Sequence, residues 1–305
     1  MECENLNELT GQVMSKFEQY LQSHPTDVVI VVDDLASTMA AAIVTKKQAI
    51  TLAHIAAGTR SFDITMPKEI NRLVIDGLSD ILFTAGFSNN SIANKEGAEL
   101  SKVYMVGNIL IDNIRYNRER VEGMRLNDID ALAGLPLKEG SYIVFTLNRK
   151  ALLADQENLE KMLRVLCETA GDLPIIAPLR DSAVQVIMAL GLKKNISLHN
   201  LHIVKPLNYL QFAYLTSHAQ GIVTDSGNVA EEATFNNIPC ITLNSYTEHI
   251  ETVKVGSNVL VGEDAELLRS AFTDMVSGTW KKCGIPDRWD GRSAERIVQI
   301  LLEHR

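Results

Sequence analysis

Residues 222–239 read IVTDSGNVAEEATFNNIP, and this stretch decides the class of fold that the chain can adopt. It opens with an apolar run of the kind that forms a strand buried on both faces of a parallel sheet. The polar and small residues DSGN then predict a turn, and the acidic residues that follow are typical of the first turns of a helix. A strand, a turn and a helix in this order form the unit from which parallel α/β sheets are built.

The same alternation of strand and helix extends in both directions from this stretch. Further strands of the second half are predicted at YIVFTL (142–147), PIIAP (174–178), LHIVKP (201–206), PCITL (239–243) and NVLV (258–261). Strands of the first half are predicted at DVVIVV (27–32), AITLAHI (49–55), ILFTA (81–85) and VYMV (103–106). Helical patterns separate these runs, among them residues 67–80, 109–121 and 156–170. Strict alternation predicts an α/β fold with parallel sheets, and two such blocks predict two Rossmann-like domains.

The domain boundary is predicted in residues 124–140, which have weak periodicity, one proline and two glycines. We therefore expect an N-terminal domain over residues 1–130 and a C-terminal domain over residues 131–291, with a last helix at 292–305 that packs back on the first domain. Ligands of open α/β sheets bind at the carboxyl ends of the strands. We expect a site in the cleft between the two domains.

Composition excludes several classes of protein. The chain has 305 residues, with 29 Lys and Arg against 38 Asp and Glu and a formal net charge of −9. This balance lacks the basic footprint of a general nucleic-acid binder. The four cysteines form neither a C-x-x-C motif nor a pattern of zinc ligands. No apolar run is long enough to span a membrane, and the start MECENLNELT is unlike a signal peptide. We expect a cytoplasmic protein that has no metal and no other cofactor, and that binds neither nucleic acid nor membrane.

The turn at residues 225–228 predicts an anion site. Free amides at a helix start bind phosphate well, and a glycine there allows close approach. Ser226 could add a hydroxyl donor, and Glu232, one turn further, could accept hydrogen bonds from ribose hydroxyls. A simple N-capped helix is the alternative, since Ser and Asp are preferred caps and acidic residues favour the positive helix end. The ring of Phe212 could stack on a nucleobase, although an aromatic residue at helical spacing more often belongs to the core.

Two polar features of the first half also have two interpretations. Asp33 and Asp34 at a strand end could bind a metal, but the pattern favours a turn or helix cap. His54 could face the cleft or be a buried structural histidine.

A set of motifs runs through nearly the whole chain in a fixed order. They are DVVIVVDDLASTMAAA, HIAAGTRS, PKEINR, VGNILID, FTLNR, TDSG with EEA and a following proline, EHIE and DGRSAERI. Together they resemble the UDP-N-acetylglucosamine 2-epimerase family of the non-hydrolysing type. The resemblance implies a fold similar to that of the GT-B glycosyltransferases and a UDP-sugar ligand. It also implies a set of ligand-binding residues: Ser226, Gly227 and Asn228 at the diphosphate, Glu232 at the ribose, Phe212 at the uracil, and Arg60 and Asn108 at the nucleotide sugar.

Members of that family begin with a strand and loop of the type F-G-T-R-P-E, which this sequence does not contain. The resemblance therefore implies a first domain that lacks its opening strands. A sheet without those strands exposes a hydrophobic edge. The implied partners are a second copy of the chain or a full-length paralogue that covers this edge.

The family reaction is understood as elimination of UDP across the C1–C2 bond followed by re-addition with inverted C2. It needs groups that take and return the C2 proton, and carboxylates and histidine suit this task. The resemblance makes Asp34, Glu69 and His249 the candidate catalytic residues. Ala56, Lys68 and Asn148 stand where the family has Glu, Glu and His.

Those three substitutions predict impaired or lost epimerisation, because a general acid or base contributes about 10²–10⁴-fold. We therefore expect a protein that binds UDP or a UDP-N-acetylhexosamine and converts it slowly. One alternative is an active epimerase or hydrolysing epimerase with a rearranged site that uses Asp34, Glu69 and His249. The other is a structural or regulatory subunit that has no ligand of its own. The implied context is the synthesis of surface-polysaccharide precursors.

Overall fold

The computed structural model describes residues 3–96, 102–135 and 137–303. The chain forms two compact units, one of Met1–Asp112 with Asp287–Arg305 and one of Asn113–Pro286. Each unit is built around a parallel sheet with helices against it. The predicted α/β class with two parallel sheets is confirmed.

The observed boundary lies earlier than the predicted boundary at residue 130. The chain leaves the first unit inside helix α5 (Ile109–Glu122) and continues into the second. Two 3-10 helices follow, and Ile129 and Leu132 from this segment are buried in the core of the second unit. The weak periodicity of this segment marks short helices that pack on the second sheet, so it does not mark a linker.

The first unit holds a four-stranded parallel sheet in which strand order follows chain order. Its strands are β1 (Val28–Val32), β2 (Thr51–Ala57), β3 (Ile81–Thr84) and β4 (Val103–Met105). Its helices are α1 (Leu6–Ser23), α2 (Ala36–Lys47), α3 (Pro67–Leu78) and α4 (Phe87–Lys95), followed by the start of α5. β1 is the first edge of this sheet and pairs with β2 in register from Val28 opposite Thr51.

Each face of the first sheet is covered by different helices because strand side chains alternate between the faces. On one face, Val31 and Leu52 pack with Ala42 of α2 and Ile75 of α3. On the other face, Ala53, Ile81 and Phe83 pack with Ile297 of α13 (Ser293–Glu303). The last helix of the chain therefore completes the core of the first unit.

Specific hydrogen bonds hold this C-terminal segment in place. The indole of Trp289 is 1% exposed and its Nε1–H donates to the carbonyl of Ala85 at 3.0 Å. The carboxylate of Asp112 accepts from the amides of Ser293 at 3.0 Å and Ala294 at 2.8 Å. These are first-turn amides of α13, so Asp112 satisfies donors that the helix itself cannot.

The second unit holds a six-stranded parallel sheet in the order β10-β9-β8-β5-β6-β7. Its strands are β5 (Ile143–Phe145), β6 (Ile175–Pro178), β7 (Leu201–Val204), β8 (Gly221–Thr224), β9 (Cys240–Thr242) and β10 (Asn258–Leu260). Its helices are the remainder of α5, α6 (Lys150–Ala154), α7 (Gln156–Ala170), α8 (Asp181–Lys194), α9 (Tyr209–Ser217), α10 (Gly227–Phe235), α11 (Glu251–Lys254) and α12 (Ala265–Ser277).

Read from β7 to β10, this order is that of the dinucleotide-binding Rossmann fold. Strand order reverses between β5 and β8, which lie side by side with Val144 opposite Ile222. Helices α7, α8 and α12 pack on one face, and α9 and α10 pack on the other. Ligands of such sheets bind outside the carboxyl ends of the strands where the order reverses. In this unit that place lies just after β5 and β8.

Among the helices formed by the described residues, none is long and apolar enough to cross a lipid bilayer.

Candidate functional site

The reversal point of the second sheet lies where β5 and β8 end. β5 leads into Asn148 and Arg149, and β8 leads into Asp225 and Ser226 before α10 begins at Gly227. The four residues of β8 are buried, so this strand fixes the turn that follows it. The residues predicted at the diphosphate thus lie at the carboxyl edge where such sheets bind ligands.

The start of α10 is open. Ser226 occupies the N-cap position, but within the described residues its side chain accepts no capping hydrogen bond from the first turn. Gly227 and Asn228 are exposed, and a Cβ built on Gly227 would have no atom within 4 Å. The first turn carries no acidic residue. This helix start therefore presents amides and the positive end of the helix dipole without a side-chain cap, as an anion site does.

The backbone around this turn is held by hydroxyl groups beneath it. The amide of Ser226 donates to Oγ1 of Thr224 at 3.0 Å. The hydroxyls of Thr146 and Thr224 lie 2.7 Å apart, and both residues are buried. These bonds tie the ends of β5 and β8 together below the open helix start.

Asp225 connects the same two strand ends through its carboxylate. Its Oδ2 accepts from the amides of Asn148 and Arg149, each at 2.6 Å. The sequence predicts only a turn at Asp225. No local signal could have shown this contact, because it joins residues more than seventy positions apart.

Glu232 is the second predicted nucleotide residue with an unusual environment. It lies on α10, is 8% exposed, and neighbours Glu231, which is 6% exposed. Burial, with the charge of Glu231 added, raises the pKa of Glu232 from 4.5 to about 7. Burial and the charge of Glu232 also raise the pKa of Tyr209 to about 12. A carboxyl group with a pKa of about 7 can accept a hydrogen bond from a hydroxyl group when it is ionised and can donate one when it is protonated.

We expect Glu232→Gln to raise the free energy of unfolding of the second unit by about 2–3 kcal/mol at pH 8, with an effect below about 1 kcal/mol at pH 5. The folded-state pKa lies above the unfolded value, so between pH 4.5 and 7 the unfolded chain ionises first and wild-type stability falls as pH rises. Glutamine does not ionise, so the variant avoids this loss of stability. Denaturant unfolding at several pH values measures it.

The exposed pair Glu157–Lys161 offers a matched control, because the Glu157 side chain is 80% exposed. Glu157→Gln should change stability by less than about 0.5 kcal/mol. Equal stabilisation by Glu232→Gln at pH 5 and pH 8 would contradict the raised pKa.

His249, a candidate catalytic residue, lies near the same helix. Its Nε2 is 3.6 Å from Oε1 of Glu231, and its side chain is 13% exposed. Phe212 is half-buried and packs against the core cluster of the second unit, where Tyr214 and Leu215 from the same helix are buried. Its stacking on a base stays a prediction.

In the first unit, Asp34 forms the centre of a buried ion network. Its Oδ2 accepts from Arg72 Nε at 2.8 Å and Nη2 at 2.7 Å, and its Oδ1 lies 2.9 Å from Lys68 Nζ. Burial opposes ionisation of Asp34, but the Lys68 hydrogen bond and the Arg72 charge outweigh it and lower the pKa of this carboxyl. Asp34 is therefore a stabilised anion and a weakened proton acceptor.

Glu69 is also engaged by its surroundings. It is 2% exposed and accepts from the amides of Ser61 and Phe62, both at 2.9 Å. Arg72 Nη1 lies 3.2 Å away. Burial would raise the pKa of Glu69, but these amide and arginine contacts together lower it. The Glu69 carboxylate thus holds the backbone of the loop after β2 in place.

His54 is a buried residue, as one of its two interpretations held. It is 2% exposed, and its Nδ1 lies 2.6 Å from Asp76 Oδ1 while its Nε2 lies 3.2 Å from the carbonyl oxygen of Asp33. Arg60 shares this network: its Nη2 is 2.7 Å from Asp76 Oδ2, and its Nε donates to Glu96 at 3.0 Å. The contact of Arg60 with a nucleotide sugar stays a prediction.

Backbone strain marks the ends of β1 and β2. Asp33, Ala56 and Phe62 have φ values of 66°, 69° and 61°. The register between β2 and β3 shifts between Ile55 and Ala57, so Ala56 is a bulge residue. Left-handed backbone at residues other than glycine costs energy and clusters at functional sites. Asp33 and Ala56 lie at the carboxyl ends of β1 and β2, and Phe62 lies in the loop after β2.

Asn108, the last predicted ligand residue, is 5% exposed and its Oδ1 accepts from the amide of Leu110 at 3.0 Å near the start of α5. Asp33 and Asp34 belong to no cluster suited to a metal ion: within the described residues, no group of three or more potential ligands comes together.

These features define an α/β protein with two parallel sheets, in which one sheet has Rossmann strand order and an open helix start at its reversal point. Residues 2–302 match the family model described as UDP-N-acetylglucosamine 2-epimerase. The chain belongs to the UDP-N-acetylglucosamine 2-epimerase family.

Curated relatives and solved structures agree with this assignment. A UDP-N-acetylglucosamine 2-epimerase of Methanocaldococcus jannaschii is 35% identical, over 96% of this chain and 80% of that protein. The structure of the M. jannaschii enzyme in complex with UDP-GlcNAc and UDP has a TM-score of 0.82 at 33% identity, covering 99% of this chain and 82% of that one. The Neisseria meningitidis enzyme bound to UDP-GlcNAc has a TM-score of 0.87 at 26% identity, covering 99% and 84%. The predicted fold similarity is confirmed.

Proposed function

We propose that the chain binds UDP and a UDP-linked 2-acetamido sugar at the start of α10, and that it epimerises the sugar at C2 poorly or not at all. The nucleotide part depends on one observation: an uncapped helix start with an exposed glycine lies at the reversal point of the second sheet. The M. jannaschii relative in complex with UDP-GlcNAc and UDP supports the same class of ligand.

The impaired reaction is supported by the surroundings of Asp34. Lys68 and Arg72 lower the pKa of this carboxyl, and a base of low pKa takes a weakly acidic carbon-bound proton slowly. Ala56 carries no acid or base, and Asn148 cannot act as either near neutral pH. Proton transfer is therefore the step that we expect to limit turnover.

The sugar part of the proposed ligand could be that of either of two related UDP-linked compounds. One relative, from Pseudomonas aeruginosa, is a UDP-2,3-diacetamido-2,3-dideoxy-D-glucuronate 2-epimerase and is 32% identical over 97% of this chain. Titration calorimetry with UDP, UDP-N-acetylglucosamine and that diacetamido compound ranks the ligands. Absence of heat with all of them at millimolar concentration would refute the proposal.

Gly227→Ala tests the location of the diphosphate. The added methyl group meets no protein atom within 4 Å, so the free protein should keep its stability within about 1 kcal/mol. The methyl group would occupy space that the diphosphate needs for close approach. We therefore expect UDP affinity to fall by roughly tenfold or more, measured by calorimetry.

Gly11→Ala in α1 is the matched control, because its Cβ also meets open space within a helix. It should leave UDP affinity unchanged. Equal UDP affinity of wild type and Gly227→Ala would show that the ligand does not approach this turn.

Assembly is a separate hypothesis, favoured by the edge of the first sheet. Within the described residues β1 pairs only with β2, and Ile30 and Val32 on this strand are each 47% exposed. Such an edge suits a homodimer or a complex with a longer paralogue. Size-exclusion chromatography with light scattering tests the homodimer, and a monomer at high concentration would refute it.

A further inference from the structure

A closed ring of hydrogen bonds joins three neighbouring strand ends of the second sheet. The amide of Arg149, after β5, donates to Asp225 Oδ2 at 2.6 Å. The guanidinium of Arg149 donates to Asn244 Oδ1 at 2.9 Å. Asn244, after β9, donates through Nδ2 to the carbonyl oxygen of Asp225 at 3.2 Å. Arg149 donates two of these bonds, Asp225 accepts two, and Asn244 accepts one and donates one. The three loops are therefore held together.

The ring spans the place where loops of a Rossmann sheet normally separate. At a strand-order reversal, the connections after the two central strands lead to opposite faces and leave a crevice between them. Here α6, after β5, and α10, after β8, start on either side of that crevice. The two amide contacts of Asp225 bridge it, and Arg149 extends the bridge by bonds to Leu243 O at 3.3 Å and Glu263 Oε1 at 3.0 Å.

The charge of Asp225 is the wrong sign for a residue next to a bound diphosphate. The carboxylate follows β8 directly and stands one residue before the open start of α10. Its second oxygen, Oδ1, is buried and has no hydrogen-bond partner among the described residues. Repulsion between this carboxylate and a diphosphate would weaken binding, so its place in the site needs another explanation.

We infer that Asp225 is a positioning residue whose acceptor capacity, and not its charge, sets the anion-binding geometry at the start of α10. By holding the amides of Asn148 and Arg149, it fixes the loop after β5 against the turn that carries Ser226 and Gly227. Asn244 supports it from the other side. This inference rests on the proposed nucleotide site and adds the element that shapes it.

The variants that separate the two roles of Asp225 are Asp225→Ala and Asp225→Asn. Alanine removes both contacts to the loop amides, and we expect UDP affinity to fall by roughly tenfold to a hundredfold. Asparagine keeps an oxygen that can accept from both amides and removes the charge. Its UDP affinity should equal or exceed that of wild type. Asn244→Ala opens the ring on one side and should weaken UDP by a smaller factor, about threefold.

Calorimetry with UDP and amide hydrogen exchange of Asn148 and Arg149 are measured together on the full chain. Exchange at both amides should accelerate in Asp225→Ala and stay slow in Asp225→Asn. Circular dichroism identifies a variant that fails to fold, in which case Asn244→Ala and Asp225→Asn decide.

The inference is overturned if Asp225→Asn binds UDP as weakly as Asp225→Ala, or if Asp225→Ala leaves both exchange rates unchanged. If wild type itself does not bind UDP, the proposed function fails, while the exchange rates still decide whether Asp225 holds the loop. The two failures are therefore distinguishable.

Discussion

Replacing Ala56 and Lys68 together by glutamate should raise C2 epimerisation of UDP-N-acetylglucosamine about a hundredfold over wild type. The estimate is the lower end of the 10²–10⁴-fold that one well-placed acid or base contributes. Both positions lie in the first unit, one at the bulge that ends β2 and one in the first turn of α3.

The substitution at residue 68 changes the chemistry of Asp34 directly. In wild type, Lys68 Nζ lies 2.9 Å from Asp34 Oδ1 and helps to lower the pKa of this carboxyl. A glutamate there removes the cation and adds a like charge, so the pKa of Asp34 should rise toward the range that proton transfer at neutral pH requires. The first turn of a helix accommodates a carboxylate well, since the helix dipole favours it.

The substitution at residue 56 keeps the backbone that already exists. Ala56 has a φ of 69°, and glutamate meets about the same backbone penalty there as alanine. Turnover is measured by NMR, as the appearance of the manno epimer during long incubation. Ala56→Gln with Lys68 unchanged is the control, because it adds similar bulk at residue 56 without an acid or base and keeps the Lys68 contact with Asp34, and it should stay at the wild-type rate.

Two outcomes would contradict the proposal that Ala56 and Lys68 impair epimerisation. Rapid epimerisation by wild type would show that the residues present suffice, and Asp34→Asn would then identify whether Asp34 is the base. Equal slow rates in the glutamate pair and in its control would show that the defect lies elsewhere, with Asn148→His as the next variant.

Strand and helix positions could be predicted because they depend on local patterns. The apolar run DVVIVV became β1, and the helix predicted at residues 156–170 is α7 with the same bounds. β-Branched runs between polar turns and apolar residues at helical spacing are properties of a few neighbouring residues. The domain boundary was harder to place, because Leu126–Asp128 and Asp130–Leu132 form short 3-10 helices whose role depends on which sheet they cover.

The chemistry of the site was less predictable because it depends on partners far apart in the sequence. The open start of α10 follows from T-D-S-G and was predicted. That Glu69 holds the amides of Ser61 and Phe62 could not be read from its own motif. A weak signal existed in α3, where Lys68, Arg72 and Asp76 recur at a spacing of four and so share one face of a helix. The contacts of this face with Asp34 and His54, and the burial of Arg72 and Asp76, depend on tertiary packing.

Arg72→Met should lower the free energy of unfolding of the first unit by about 3–5 kcal/mol, the usual effect of removing one partner from a buried ion pair. Arg72 is 5% exposed and binds two carboxylates, Asp34 and Glu69, which are 4% and 2% exposed. Without the guanidinium, Glu69 keeps its two amide contacts, whereas Asp34 keeps Lys68, which is 61% exposed and screened by water. The loss therefore falls mainly on Asp34.

The loss of unfolding free energy in Arg72→Met should depend on pH, because Asp34 and Glu69 both have shifted pKa values. The pKa values of Asp34 and Glu69 are lowered in the folded state, so their ionised forms stabilise wild type above the unfolded pKa values, near 4. That stabilisation disappears as pH falls through the lower folded values. The difference between wild type and Arg72→Met, measured by denaturant unfolding, should be largest near pH 7 and should shrink at pH 3.

Arg72→Lys is the matched control, because lysine keeps the charge but cannot bind Asp34 with two nitrogens and reach Glu69 at once. We expect it to lose about 1–2 kcal/mol. A loss below about 1 kcal/mol in Arg72→Met would mean that water satisfies Asp34. Asp34 would then be a solvated carboxylate with an ordinary pKa, and Lys68 would no longer explain a slow proton transfer. The stability of this one variant therefore also tests the proposed cause of impaired epimerisation.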